Sequence, residues 1–126
     1  MKALVVKPAI NSEYSAPETV VEEFELNNYQ DIAEQIDCSL ICSAGYPAEG
    51  MAAYVDDEGL LKENHLFLVV PWYPQPLAGN LVITGFDHHT GDDAPLDMDR
   101  AKEIASYIYT VDHQTIATMV NMGLIR

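Results

Sequence analysis

The sequence predicts an α+β fold: a mostly antiparallel sheet covered on one face by helices, with a helical C-terminus. Three observations predict it. Apolar runs of strand length, bounded by Pro, Gly, Asn and Asp, recur through the first two-thirds of the chain. Apolar residues at helical spacing take over after Asp97. The 126 residues suit one domain, with 97–126 a helical segment inside it.

The elements follow in order. Lys2 to Lys7 is a first strand, Ala-Leu-Val-Val between lysines, stopped by Pro8. Asn11 to Pro17 is polar and turn-rich, hence a loop. Thr19 to Leu26 alternates like a strand, and Glu22 in its apolar row marks an edge strand or a strand end. Asn28 can cap a helix over Tyr29–Ile36, with Asp31 near its positive end and Ile32, Ala33 and Ile36 as its apolar stripe. Ser39–Ser43 is the next strand. Met51–Val55 and Leu60-Leu61 flank Asp56-Asp57-Glu58-Gly59, a hairpin signal with Gly59 free to take positive φ. His65–Val70 and Leu81–Thr84 complete the sheet, separated by the proline-rich loop from Trp72 to Gly79. In that loop Trp72 is expected to lie over the core as a lid rather than to anchor a partner.

At the C-terminal end, Asp97 caps a helix near Met98–Tyr109 whose stripe is Ala101, Ile104, Ala105 and Ile108. Asp112 caps a second, with Ile116, Met119 and Val120 inward. Gly123 is placed to terminate it as C′, and Leu124 to pack back as C″.

Charge bounds the function. Twenty Asp and Glu face six Lys and Arg, a net −14. Such a field repels phosphate backbones and anionic lipid, so neither direct nucleic-acid binding nor membrane association is expected. The longest apolar run, Leu66 to Val70, is far short of the roughly 18–20 residues of a membrane span. The opening Met1–Pro8 has too short an apolar core for a signal peptide, so the expected location is the cytoplasm. Cys38 and Cys42 would sit roughly 13 Å apart on a strand, beyond disulfide reach, and read as two buried thiols acting as small hydrophobes.

The chemistry-bearing residues are few. Asp87, His88 and His89, with Asp92 and Asp93 beyond them, have the donor types of a zinc, iron or manganese site. Adjacent histidines on a strand point to opposite faces, and Thr90-Gly91-Asp92 is itself a turn sequence, so no metal or other cofactor is expected. His65 and His113 lie too far along the chain to join by spacing. Cys42 and Ser43 have no nucleophile elbow around them, and no glycine-rich phosphate loop precedes a helix. From Glu13 to Asp37 there are eight acids and no Lys or Arg. Glu22, Glu23, Glu25, Asp31 and Glu34 are expected on one exposed surface that docks a basic protein.

The order of these pieces resembles the family called domain of unknown function 3846, met in phage, plasmid and bacterial genomes. The matching residues are the opening Met1-Lys2-Ala3-Leu4-Val5-Val6-Lys7-Pro8, the segment from Ala53 to Lys62 with Asn64, and Ala78-Gly79-Asn80-Leu81-Val82-Ile83-Thr84-Gly85. The family carries a Gly pair after its first helix, where this chain has Ile36-Asp37, and the helix from Asp112 is an addition. The resemblance implies a small α+β fold and a mobile-element origin; it brings no activity and no functional residue.

The expectation is a non-enzymatic accessory protein that binds a basic protein through its acidic face, as an inhibitor or nucleic-acid mimic would. The alternatives are a metal- or small-ligand-binding protein centred on Asp87-His88-His89, and acidity as an adaptation to high salt with no partner.

Overall fold

The structure, a computed structural model, describes residues 1–14, 16–59 and 66–123. It is α+β. Strands β1 (Lys2–Asn11), β2 (Ala16–Glu25), β3 (Ile41–Ser43), β4 (Met51–Asp56) and β7 (Leu81–Gly85) form an antiparallel sheet in the order β2-β1-β7-β4-β3. A second antiparallel sheet, β6-β5-β8, is built from β5 (Leu66–Val69), β6 (Leu77–Ala78) and β8 (Tyr109–Asp112). The helices are α1 (Tyr29–Ile36), α2 (Met98–Ala105) and α3 (His113–Asn121).

The central strands explain the apolar runs. Ala3, Leu4, Val5 and Val6 are all at most 1% exposed, because both faces of β1 are covered. Ala3, Val5 and Val82 meet Ile32 and Ile36 of α1 on one face. Leu4, Val6, Leu81 and Ile83 meet Ala101 and Ala105 of α2, together with Leu68 and Leu77 of the second sheet, on the other. The two helices thus divide between opposite faces, where cover of one face was expected. The reason is the unbroken apolar run: a strand without alternation has two faces to bury. The second sheet has its own small cluster of Phe67, Ala78 and Val111, with Ile116 of α3 packed on it.

Several boundaries moved. Pro8 does not stop β1. Pairing with β7 ends at Val6↔Leu81, so from Lys7 onward β1 has β2 as its paired neighbour, and a residue lacking an N–H costs that ribbon little. The loop expected from Asn11 to Pro17 shrinks to a tight turn, in which Asn11 Oδ1 accepts from the Glu13 and Tyr14 amides at 2.9 and 3.2 Å. α2 ends at Ala105 rather than running to Tyr109. Its last turn tightens, with Tyr107 N bonding Ile104 O and Ile108 N bonding Ala105 O, and the chain then enters β8. Tyr109-Thr110-Val111 is β-branched and aromatic, and pairs with Val69, Leu68 and Phe67 in turn.

The caps stand where expected. Asn28 and Asp31 form a capping box on α1. Asp97 Oδ1 accepts from Arg100 N, and Asp112 Oδ1 from Thr115 N. Gly123 follows the end of α3 with φ +73°. Leu124, the hairpin partner Leu60-Leu61 and His65 lie outside the described residues. Gly59 has no positive φ; it is buried, and an added Cβ would sit 3.3 Å from the Ala78 carbonyl oxygen. Trp72 is the lid the sequence suggested: its ring packs on the α2-side core and Nε1 donates to the Ala44 carbonyl at 2.8 Å.

Candidate functional site

The acids of β2 do not share one face. Strand alternation puts Glu22 beside Val5 on the α1 side and Glu23 beside Leu4 on the α2 side, with Glu25 following Glu23. Each also has a cation. Lys7 Nζ lies 3.7 Å from Glu22, Lys102 Nζ 2.8 Å from Glu23, and the Met1 ammonium 3.1 Å from Glu25. The hydrogen bond and charge of Lys102 hold the Glu23 carboxyl below the ordinary carboxylate range. A chain segment without a basic residue therefore acquires its counter-charges from β1, α2 and the N-terminus.

On α1 the two predicted acids part company. Asp31 Oδ2 accepts from the Asn27 and Asn28 amides at 2.7 and 3.1 Å, so it fixes the helix start. Glu34 lies one turn on, exposed, and in no ion pair among the described residues. It lines a depression of about 340 Å³ together with Asp37, Cys38 and Ser39. Asp37 is the C-cap, in the left-handed conformation with φ 62°.

That depression adjoins a larger one. A groove of about 420 Å³ runs between α1 and the outer edge of β3, walled by Tyr29, Gln30 and Ala33, by the 39–43 edge, and by Tyr54. Gln30, Ala33 and Ser39 line both hollows. Tyr29 and Leu40 are more than half exposed on its rim. Burial chiefly, and then the nearby Tyr29, push the Tyr54 hydroxyl above the ordinary tyrosine range, so it stays a neutral hydrogen-bonding group. Asp56 and Asp57 stand close to Cys42. Burial first, and then Asp57, raise the Cys42 thiol. A thiol raised this way is a poor nucleophile. Neither cysteine forms a disulfide among the described residues, and both are half-buried rather than fully buried. No Lys or Arg lines either hollow among the described residues.

Nothing local in the sequence marks the groove. Its walls come from α1, β3 and β4, brought together by pairing of Ile41↔Asp56, Cys42↔Val55 and Ser43↔Tyr54.

The Asp87-His88-His89 loop is placed differently. Asp87 Oδ1 accepts from the His89 and Thr90 amides at 2.8 and 3.3 Å, closing a turn that an isolated Phe86↔Asp93 bridge completes. The His88 ring meets Tyr46 edge-on at 4.8 Å and Phe86 at 5.1 Å. The structure thus joins His88 to aromatic rings rather than to Asp87 and His89. Among the described residues no three His, Cys, Asp or Glu stand together as a metal-holding group. No described helix is long and apolar enough to cross a membrane.

Comparison with known proteins adds one match. No curated protein and no solved structure matches the chain. The family described as Domain of unknown function (DUF3846) matches residues 1–109, from β1 to the start of β8, leaving α3 beyond it. With the match spanning most of its length and the sheet, α1 and α2 inside it, the chain belongs to the DUF3846 family.

Proposed function

We propose that this chain is a small cytoplasmic accessory protein, without catalysis of its own, that binds a basic protein through acidic surface. One observation carries the reading. Glu22, Glu23 and Glu25 of β2 are matched by Lys7, Lys102 and the N-terminus, whereas Glu34 and Asp37 line a hollow beside α1, and Asp57 one beside β3, with no described Lys or Arg lining either. Part of the −14 charge thus stands beside a concave surface, where field and shape act on the same partner. The resemblance to phage and plasmid proteins favours a mobile-element origin, and with it an inhibitor or nucleic-acid mimic.

The test compares two neutralised variants in affinity capture from a host lysate. One carries E34Q, D37N and D57N; the other E22Q, E23Q and E25Q. Expected is a basic partner, identified by mass spectrometry, lost with the first variant, retained with the second, and weakened by salt. Equal capture by all three forms overturns the reading. No partner at all, with folding stability rising steadily with salt, makes the acidity an adaptation to salt instead.

A further inference from the structure

We infer that the groove between α1 and β3 receives an extended, lysine- or arginine-bearing segment of that partner, added as a strand to the free edge of β3. The inference rests on the binding reading above and names its mode.

The edge is open and its polarity can be read. Asp57 N bonds Leu40 O at 2.9 Å and Ala44 N bonds Ala53 O at 2.8 Å. Both are hydrogen-bonded antiparallel pairs in register with Cys42↔Val55. Residues 40, 42 and 44 therefore turn their backbone groups toward β4. Ile41 and Ser43, between them, turn theirs outward. β3 is the last strand of its sheet, and no strand pairs with that side among the described residues. Ile41 and Ser43 both line the groove, so a segment seated there as a strand would meet their outward main-chain donors and acceptors.

The walls define the side chains. On the α1 side the segment's alternate residues would lie against Tyr29, Ala33, Ile41 and Tyr54, an apolar and aromatic lining that suits an aliphatic residue. Next to it the hollow with Glu34 and Asp37 suits a cationic one, and Asp57 stands at the Leu40 end of the strand. The competing occupant is a second copy of this chain pairing edge to edge. Two chains of charge −14 repel each other, and a three-residue strand offers few bonds to offset that. Charge thus decides for a cationic segment from another protein.

The probe is a synthetic acetylated and amidated octapeptide of alternating Lys and Val, titrated into the isotopically labelled full chain by NMR. Expected are shifts and slowed hydrogen exchange at the Ile41 and Ser43 amides, with smaller changes on β2. A Glu-Val octapeptide should not bind. N-methylation of alternate peptide amides should weaken binding about tenfold, since outward β3 carbonyls lose their donors. Ser43→Pro removes one outward N–H at an edge position that tolerates proline, and should weaken binding about as much. Its urea midpoint verifies folding, and Ala33→Arg, which fills the groove from α1, provides a second block. Shifts confined to other surfaces, binding indifferent to N-methylation, or a chain that dimerises through β3 would each overturn the proposal. The two readings separate cleanly. If Ser43→Pro and Ala33→Arg still capture the partner while the E34Q, D37N, D57N variant does not, acidic docking stands and strand addition falls.

Discussion

Lys102 Nζ lies 2.8 Å from Glu23 Oε2, joining α2 to the edge strand across 79 positions of sequence. The pair is exposed, so its worth at neutral pH is small. Its signature is in titration. The Glu23 carboxyl is held below its ordinary range by that lysine. A depressed acid stabilises the fold above its unfolded value, and that contribution is lost as pH falls through the folded value. The window therefore lies below about pH 4. Lys102→Met should return the Glu23 carboxyl carbon to an ordinary NMR titration, with wild type and variant converging in stability at the acid end. An unchanged Glu23 titration in Lys102→Met would show that the pair is not formed in solution.

Gly85 ends β7 where the chain 94–96 crosses it. An added Cβ would run into the Ala94 carbonyl oxygen and the backbone of Pro95 and Leu96. All three of those nearest atoms are backbone, so no flexible side chain is there to yield. Gly85→Ala should cost about 1–3 kcal/mol, read as a lower urea midpoint at unchanged slope. Wild-type stability in this variant would mean the 94–96 segment does not rest on β7.

The parts of this fold legible in the sequence are those whose cause is local. Asn28, Asp31, Ile32 and Ile36 sit within one short helix, and its bounds came out as read. Asp97 and Asp112 cap their helices for the same reason. What escaped depends on distant residues. β8 is four residues between two helices, and its strand character appears only when Leu66 to Val69 pairs with it. Burial of both faces of β1 sent the helices to opposite sides. Glu22, Glu23 and Glu25 looked unneutralised because their cations lie on β1, α2 and the N-terminus. The groove needs α1, β3 and β4 together, so no window of sequence displays it.

Trp72 separates lid from anchor. Its ring lies over Gly45, whose added Cβ would be 3.2 Å from Trp72 Cδ1, and its N–H satisfies the Ala44 carbonyl. Trp72→Phe keeps most of the ring and deletes the donor. The expected loss is about 1–3 kcal/mol, followed by circular dichroism because the chain has a single Trp to lose. An anchor for a partner would behave oppositely, with stability unchanged and binding lost.

Asp37 is the test of whether α1 gives up stability for its surface. It ends the helix at φ 62°, the one non-glycine residue with positive φ among those described. A Cβ in that region costs about 1–2 kcal/mol, which glycine avoids. Its carboxylate also stands at the negative end of the helix dipole, where an acid is unfavourable by some tenths of a kcal/mol. Asp37→Gly keeps the N–H that bonds Ala33 and Glu34 carbonyls, and relieves both costs. Glycine's greater unfolded-state entropy takes part of the gain back, leaving a stabilisation of about 1 kcal/mol. Thermal unfolding measures this directly. Asp37→Asn divides the effect, since Asn tolerates the left-handed region and carries no charge. If the hollow beside α1 holds a cation, both variants should bind the Lys-Val octapeptide more weakly, with a flatter salt dependence, while becoming more stable. A gain in stability with unchanged peptide affinity would leave Asp37 outside the binding surface. A loss of stability in Asp37→Gly would show that the Asp side chain itself holds the helix end.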